Sequence, residues 1–518
     1  MMPTVPLRFL IAAALIAMLR AIPYLVARYD QPLDETLRFL PIGYNPMDFA
    51  AYLAFVNQGA SVTLVNPYTV MPQDGRFILL FHQLLGLFKE VTNIDSFVLL
   101  ELSRVPLIFF FTWAAWQFVC AVYKDLRLRT WAMWLLLFSG GMDYLFGLIS
   151  YLPVAFALNE NIPVLGLNTF QSLHNPLWIW AFALLLFSLR FLIDPESHFE
   201  LKKGIAVFLS YLLLHLSHPY TAMALLAILT AIPTLALILN LNFCYRRYLI
   251  TTLPVIFGLA VCVGISLWQT RDAVYKATAS GVFGNSSLSV FFYPLTLGGL
   301  GIAALRGWRY WITGNHPWAL PIGAWILVVI LLHTSPIFNG YHFVPYLHIP
   351  VCLVATEPFV SWMDWIRARV KVMRGLVMIA YLAIFFFSPI ATTYQSVLAV
   401  YRANARPLET FQVLEWLSQK PAGHVFCSGS FGLLVPVYTA HRVVVGHWFL
   451  SPDYRAKDES YYRLLAAENT ELAEVLARDR IDYLVIPTAA TEKIEKMLDG
   501  RMQERAAFGS TTVLRLRR

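Results

Sequence analysis

The residues able to do chemistry in this 518-residue chain are few, and they gather in a small number of places. Acidic side chains lie between residues 28 and 96: Asp34 and Glu35, then Asp48, then Asp74. Asn45-Pro46 reads as a helix opening, with Asn at the N-cap, Pro at the first helical position and Gly59 near the stop. Asp48 is then the third helical residue, where the helix dipole favours an anion. That position fits a reactive carboxylate and fits a plain capping residue equally well. Tyr52 follows one turn later on the same face. Arg104 stands in an apolar stretch, either as a free cation or paired with Glu101 three residues back. His82, His174, His218, His333, His342 and His447 fall near the ends of apolar stretches or in the segments between them. Polar groups at a membrane boundary are candidates for proton handling and for holding a charged ligand. Each histidine taken singly also fits a hydrogen-bonded structural role. No C-x-x-C or H-E-x-x-H pair appears, and no cofactor is expected, although the acidic loop could hold one divalent cation.

These groups need elements to carry them, and the composition says what kind. The chain is 58% hydrophobic and 14% charged, with a mean hydropathy of +0.60. Soluble domains run to about 25% charged residues. A soluble assembly, a disordered chain and a disulfide scaffold are all excluded, and the five cysteines suggest no bridges. The first 400 residues hold 23 basic and 17 acidic side chains, and the last 118 hold 16 and 14. The predicted organisation is a membrane domain, 1–399, with a long first outer loop at 28–96, followed by a water-soluble domain at 400–518.

A crossing helix needs about 20 apolar residues. Eleven stretches qualify: 7–27, 97–122, 130–150, 176–193, 204–217, 219–241, 248–269, 287–305, 318–334, 343–362 and 375–394. The first is interrupted by Arg20 and lacks a small-x-small site, so it reads as a span rather than a cleaved signal. Alternate connections hold fifteen Lys and Arg against six in the others. By the positive-inside rule the N-terminus is cytoplasmic and the tail lies outside, in a multi-pass cytoplasmic (inner) membrane protein. The basic surplus then sets topology and implies no nucleic acid. The acidic residues and most histidines fall on the outer face.

Several short stretches carry a resemblance. They are NPMDFAAYLAFVNQG at 45–59, NPYT at 66–69, DGRFILLFHQLLGLF at 74–88 and SFVLLELSRVPLIFF at 96–110. LHNPLW at 173–178 and SHPYT at 217–221 join them. Together with the layout, the chain resembles the GT-C superfamily of integral-membrane glycosyltransferases, in particular polyprenyl-phosphate-sugar-dependent members of bacterial type. The resemblance implies a polytopic helical fold with a small α/β domain on the outer face. It implies transfer of a sugar from a polyprenyl-phosphate carrier to an envelope glycan, lipid or protein acceptor, with inversion. A first-loop carboxylate would be the base, with Asp48 competing against Asp34 and Glu35. Arg104 would meet the lipid phosphate. Tyr52, His174, Asn175, His218, Tyr220, His342, His447 and Trp448 would line the substrate site.

The tail alternates strand and helix signals. Strands are predicted at 424–429, 442–446, 482–487 and 511–516, and helices at 433–440, 461–478 and 492–498. Such alternation argues an open, mainly parallel sheet. VGHWFLSPD, at 445–453, follows a strand end, where such sheets place ligand contacts. Trp448 there suits sugar stacking or a membrane interface. Two other readings compete with catalysis. One is a flippase for a lipid-linked saccharide, against which the acidic residues crowd the interface rather than mid-membrane. The other is a scaffold that displays the tail.

Overall fold

The computed structural model describes residues 3–29, 37–39, 46–140, 173–193, 201–280, 292–335, 340–466, 479–498 and 500–517. Asp34, Glu35 and the N-cap Asn45 lie outside them. The element order begins α1 (Leu7–Tyr29), β1 (Leu37–Phe39), α2 (Pro46–Val56), α3 (Leu80–Thr92), α4 (Ser96–Val122) and α5 (Leu126–Phe138). It continues with α6 (Pro176–Ile193), α7 (Leu201–Ser217), α8 (Pro219–Ile238), α9 (Tyr245–Gln269) and α10 (Ala273–Ser280). The last apolar helices are α11 (Phe292–Thr313), α12 (Ala319–Thr334), α13 (His348–Arg369) and α14 (Arg374–Asn404). Among the described residues six helical stretches are long and apolar enough to cross a bilayer: Leu7–Val26, Ser96–Val122, Pro176–Ile193, Pro219–Ile238, Tyr245–Gln269 and His342–Arg369. The protein is a multi-pass membrane protein.

Some boundaries move from their expected places. Within the stretch DGRFILLFHQLLGLF, at 74–88, the helix starts only at Leu80, and it runs on to Thr92. Phe77 instead forms an isolated antiparallel bridge with Leu64, which holds the approach to α3 extended. Of the stretch expected to span at 287–305, the described part is helical from Phe292, kinks at Gly298 and continues to Thr313, so Arg306 and Arg309 lie within a helix rather than in a loop.

By internal contact the chain forms two compact units. The first holds Met1–Ile22, Glu101–Gly264 and Phe283–Ser396. It is built of helices around buried aromatic side chains, among them Trp311, Trp318 and Trp325. The second holds Pro23–Leu100, Ile265–Val282 and Val397–Arg518, so the first long loop and the tail belong to one unit.

In the second unit β1 pairs antiparallel with β2 (Ala405–Pro407). The chain then passes through α15 (Leu408–Ser418), β3 (His424–Phe426), two one-turn helices, α16 (Gly429–Gly432) and α17 (Val435–Tyr438), and β4 (Arg442–Val443). Next come α18 (Tyr454–Ala466), β5 (Tyr483–Pro487), α19 (Thr491–Leu498), β6 (Met502–Phe508) and β7 (Thr511–Leu516). The sheet order is β4-β3-β5-β7-β6. Its first two pairings are parallel and its last two antiparallel. The sheet is therefore mixed, not mainly parallel. The difference is the β6–β7 hairpin. Met502–Phe508 reads MQERAAF and lacks β-branched residues, so it carries no strand signal. It forms because β7 offers a full edge, and its charged face blunts the new one. The helix expected at 433–440 is broken into α16 and α17, with Pro436 opening the second of them. Helix α18 begins at Tyr454, seven residues before its expected start.

Val70 from the first loop packs into the sheet's core with Phe426, Val444, Leu484, Ile486 and Leu514. Burying such side chains contributes roughly 1.5–3 kcal/mol each, so loop and sheet are stabilised together.

Candidate active site

In the second unit the predicted Asp48 is the third residue of α2, as its sequence position requires. Apolar residues from Phe49 to Val56 bury most of the helix, and Asp48 keeps 39% of its side chain exposed. Its Oδ1 lies 3.9 Å from Nε2 of His447. Burial pushes the Asp48 carboxyl up from 3.8 to about 6. The helix N-terminus favours the carboxylate form near neutral pH, but it is not the only influence on the group. Desolvation by surrounding protein opposes the dipole and exceeds it. At pH 7 the carboxylate form still predominates.

His447 is held from several directions. Its Nδ1 accepts from the backbone N–H groups of Phe449 (3.1 Å) and Leu450 (3.2 Å). The N–H groups of Gly446 and His447 both donate to Ser451 Oγ, which donates to the carbonyl of Tyr68 at 2.8 Å. Gly446 makes this possible: a Cβ there would sit 2.6 Å from the Gly432 carbonyl and 2.9 Å from the Tyr68 ring. Burial holds the His447 imidazole far below its ordinary pKa, at about 3. Trp448 follows it, half exposed, with its ring stacked near the imidazole at 6.3 Å.

Three further residues of this neighbourhood were marked by the sequence, in NPYT at 66–69 and among the histidines, but not assigned to the substrate site. Asn66, fully buried, donates to the Leu450 carbonyl at 2.7 Å and accepts from the Tyr68 N–H at 2.9 Å. Tyr68, also fully buried, donates to the Leu433 carbonyl at 3.2 Å. The NPYT stretch at 66–69 is thus the tie between the first loop and the VGHWFLSPD loop. Asn66→Ala leaves buried partners unsatisfied at a cost of roughly 2–4 kcal/mol. Faster amide exchange over residues 446–451 is its expected signature, and unchanged protection there would remove Asn66 from this role. The third residue is His82, which is 2% exposed and lies 4.8 Å ring to ring from Tyr52. Neither of its ring nitrogens has a hydrogen-bond partner among the described residues. Burial lowers its pKa to about 3. Its signal in the sequence was a histidine on a short apolar helix, which alone decides nothing.

Asp34 and Glu35 lie outside the described residues, and the remaining predicted residues belong to the first unit. Arg104, only 3% exposed, makes a two-point ion pair with Glu101, 2.8 Å for one of the two contacts, and donates to the His174 carbonyl at 2.8 Å. The i−3 pairing offered as one reading of Arg104 is therefore present. Asn175 accepts from the Leu177 N–H at 3.0 Å and so caps α6, while His218 precedes Pro219 at the start of α8. Both motifs use the same start, a polar side chain before Pro. They meet: the Trp178 and His218 rings are 4.7 Å apart. His218 Nδ1 lies 2.7 Å from Thr221 Oγ1, which is hydrogen-bonded to the Tyr346 hydroxyl. Tyr220 stacks on His342 at 4.1 Å. No three His, Cys, Asp or Glu side chains converge as a metal site among the described residues.

No protein-family model matches the chain, and no curated protein matches it in sequence. Solved structures match it in fold. The Archaeoglobus fulgidus oligosaccharyltransferase in its apo form aligns with a TM-score of 0.58 at 12% identity, over 95% of this chain and 71% of that one. The same enzyme in complex with Zn and sulfate aligns with a TM-score of 0.51 at 13% identity, over 94% and 69%. At this identity the likeness is one of fold alone: a mostly helical architecture with a small C-terminal sheet.

Proposed function

We propose that the protein is a membrane glycosyltransferase that moves a sugar from a polyprenyl-phosphate carrier to an acceptor on the outer face, with Asp48 as base. One observation carries the reading. A carboxylate at a helix start, in a GT-C-type fold, has its pKa raised to about 6 and faces a fixed imidazole. A base acts best with a pKa near the working pH.

In the proposed step the ionised Asp48 takes the proton of the acceptor's hydroxyl or amide. The acceptor atom bonds to the anomeric carbon as the bond from that carbon to the carrier phosphate breaks. The electron pair leaves with the phosphate, and the single displacement inverts the centre. A leaving phosphate needs charge-assisted donors. Arg104, His218 and His342 are assigned there, with His174, Asn175 and Tyr220 shaping their surroundings. Tyr52 and Trp448 are assigned to the sugar or acceptor, Trp448 by stacking on a pyranose face. Asp34 and Glu35 are the competing bases. The eleven-span topology, with the domain at 400–518 outside an inner membrane, completes the reading.

The test is incubation of purified protein with a panel of polyprenyl-phosphate sugars, reading release of the bare lipid phosphate. Movement of the lipid-linked sugar across vesicles without release would sink the reading.

The pH dependence separates the candidate bases. A folded pKa raised to about 6 leaves Asp48 half protonated at that pH, so its basic form is lost as pH falls through 6. Activity should therefore fall about tenfold per pH unit below 6, whereas an ordinary carboxylate would place that limb near 4. His447 and His82 are neutral throughout this range, so a limb near 6 does not report either of these two neighbours of Asp48. A limb near 4 would return the assignment to Asp34 or Glu35.

A further inference from the structure

His447 offers more than a contact, because its hydrogen-bond geometry determines which nitrogen carries the proton. Two backbone N–H groups, of Phe449 and Leu450, point at Nδ1. A proton on Nδ1 would meet both of them, so Nδ1 must be the acceptor nitrogen and Nε2 carries the hydrogen. That Nε2 is buried and has no hydrogen-bond partner among the described residues. It faces Asp48 Oδ1 at 3.9 Å, about 1 Å beyond a formed hydrogen bond. The imidazole cannot turn away without breaking both backbone contacts. Its main chain is tied in turn to Ser451 and through it to Tyr68.

We propose that His447 is a positioning residue, a neutral Nε2–H donor that closes onto one oxygen of Asp48 and turns the other toward the acceptor. The proposal rests on Asp48 being the base. A donor to the charged form favours ionisation, so His447 also keeps the carboxylate usable against the desolvation around it. Among the described residues, titratable groups in the neighbourhood include Tyr52 on α2, His82 on α3 and Tyr68 in the NPYT stretch. Burial holds His82 well below and Tyr68 well above their ordinary pKa values, so both are neutral near pH 7, and the His447 ring acts as a dipole that adds no charge.

Two measurements test this on the full-length protein. In 15N-histidine spectra, the His447 signal is identified by its loss in His447→Gln. It should show the neutral Nε2–H tautomer from pH 5 to 8. An Nδ1–H tautomer, or an imidazolium at pH 6, overturns the proposal without any need for turnover. The second measurement is the carboxyl infrared band of Asp48, isolated by subtraction of Asp48→Asn. His447→Phe should raise the pH midpoint of that band by about one unit. It should also lower kcat ten- to a hundredfold with the donor KM changed less than threefold. His447→Gln keeps an N–H donor and should restore both. An unshifted midpoint in a folded His447→Phe protein removes the positioning role. Should His447→Phe fail to fold, the tautomer and the His447→Gln titration still decide. A shifted midpoint in a protein that transfers no sugar would leave the pairing standing and refute the glycosyltransferase reading instead.

Discussion

Asp48→Asn is expected to reduce sugar transfer at least a thousandfold while expression and membrane insertion persist. General base catalysis contributes about 10²–10⁴, and an amide of the same shape cannot take the acceptor's proton. The sign of the stability change sharpens the test. The folded pKa lies above the reference value, so the folded state binds the proton more tightly than the unfolded chain. The cost of the charged form is absent below about 4, grows as pH rises through the interval, and is fully present above about 6. At pH 7.5 the Asn variant should therefore melt at the same temperature as the parent or higher. A loss of activity with no loss of stability separates chemistry from folding. Normal transfer by the Asn variant would end the assignment of Asp48.

The second large effect concerns Arg104. Removing one partner of a buried ion pair costs roughly 3–5 kcal/mol, because the remaining charge is left uncompensated. Arg104→Met alone should therefore destabilise the protein strongly, since Glu101 stays behind in an apolar helix. Such a result cannot tell a structural pair from a phosphate donor. The double variant Arg104→Met with Glu101→Gln can. It removes both charges together, and replacing a buried pair in that way is often close to neutral. The double variant should recover most of the thermal stability yet transfer at least a hundredfold more slowly, with the lipid-phosphate donor bound more weakly. Parent-level transfer by a stable double variant would leave Arg104 a structural residue only.

Much of the architecture was legible because its causes are local. Apolar stretches of about 20 residues announce themselves, and α6 occupies the predicted residues 176–193. Helix starts were legible where a polar residue precedes Pro, as at Asn175-Pro176 and His218-Pro219. Strand β5 and helix α19 fall where the tail's pattern put them. Features set by a distant partner were not legible. Strand β6 exists because β7 pairs with it. The start of α3 is delayed because Phe77 bridges to Leu64. Nothing within seven residues of Asn66 marks it as the tie to a carbonyl 384 residues away.

The sequence by itself determined that this is a multi-pass membrane protein with few charged groups in its first 400 residues. Those properties follow from transfer free energies and charges that add up residue by residue along the chain. Only the tertiary structure decided which acidic and imidazole groups face each other and in which protonation state. The helix dipole at Asp48 is a local effect, readable from Asn45-Pro46. The desolvation that overrides it, and the imidazole that faces it, come with the fold. His447 stands 399 positions along the chain, and its tautomer is settled by backbone amides that the fold alone brings to Nδ1.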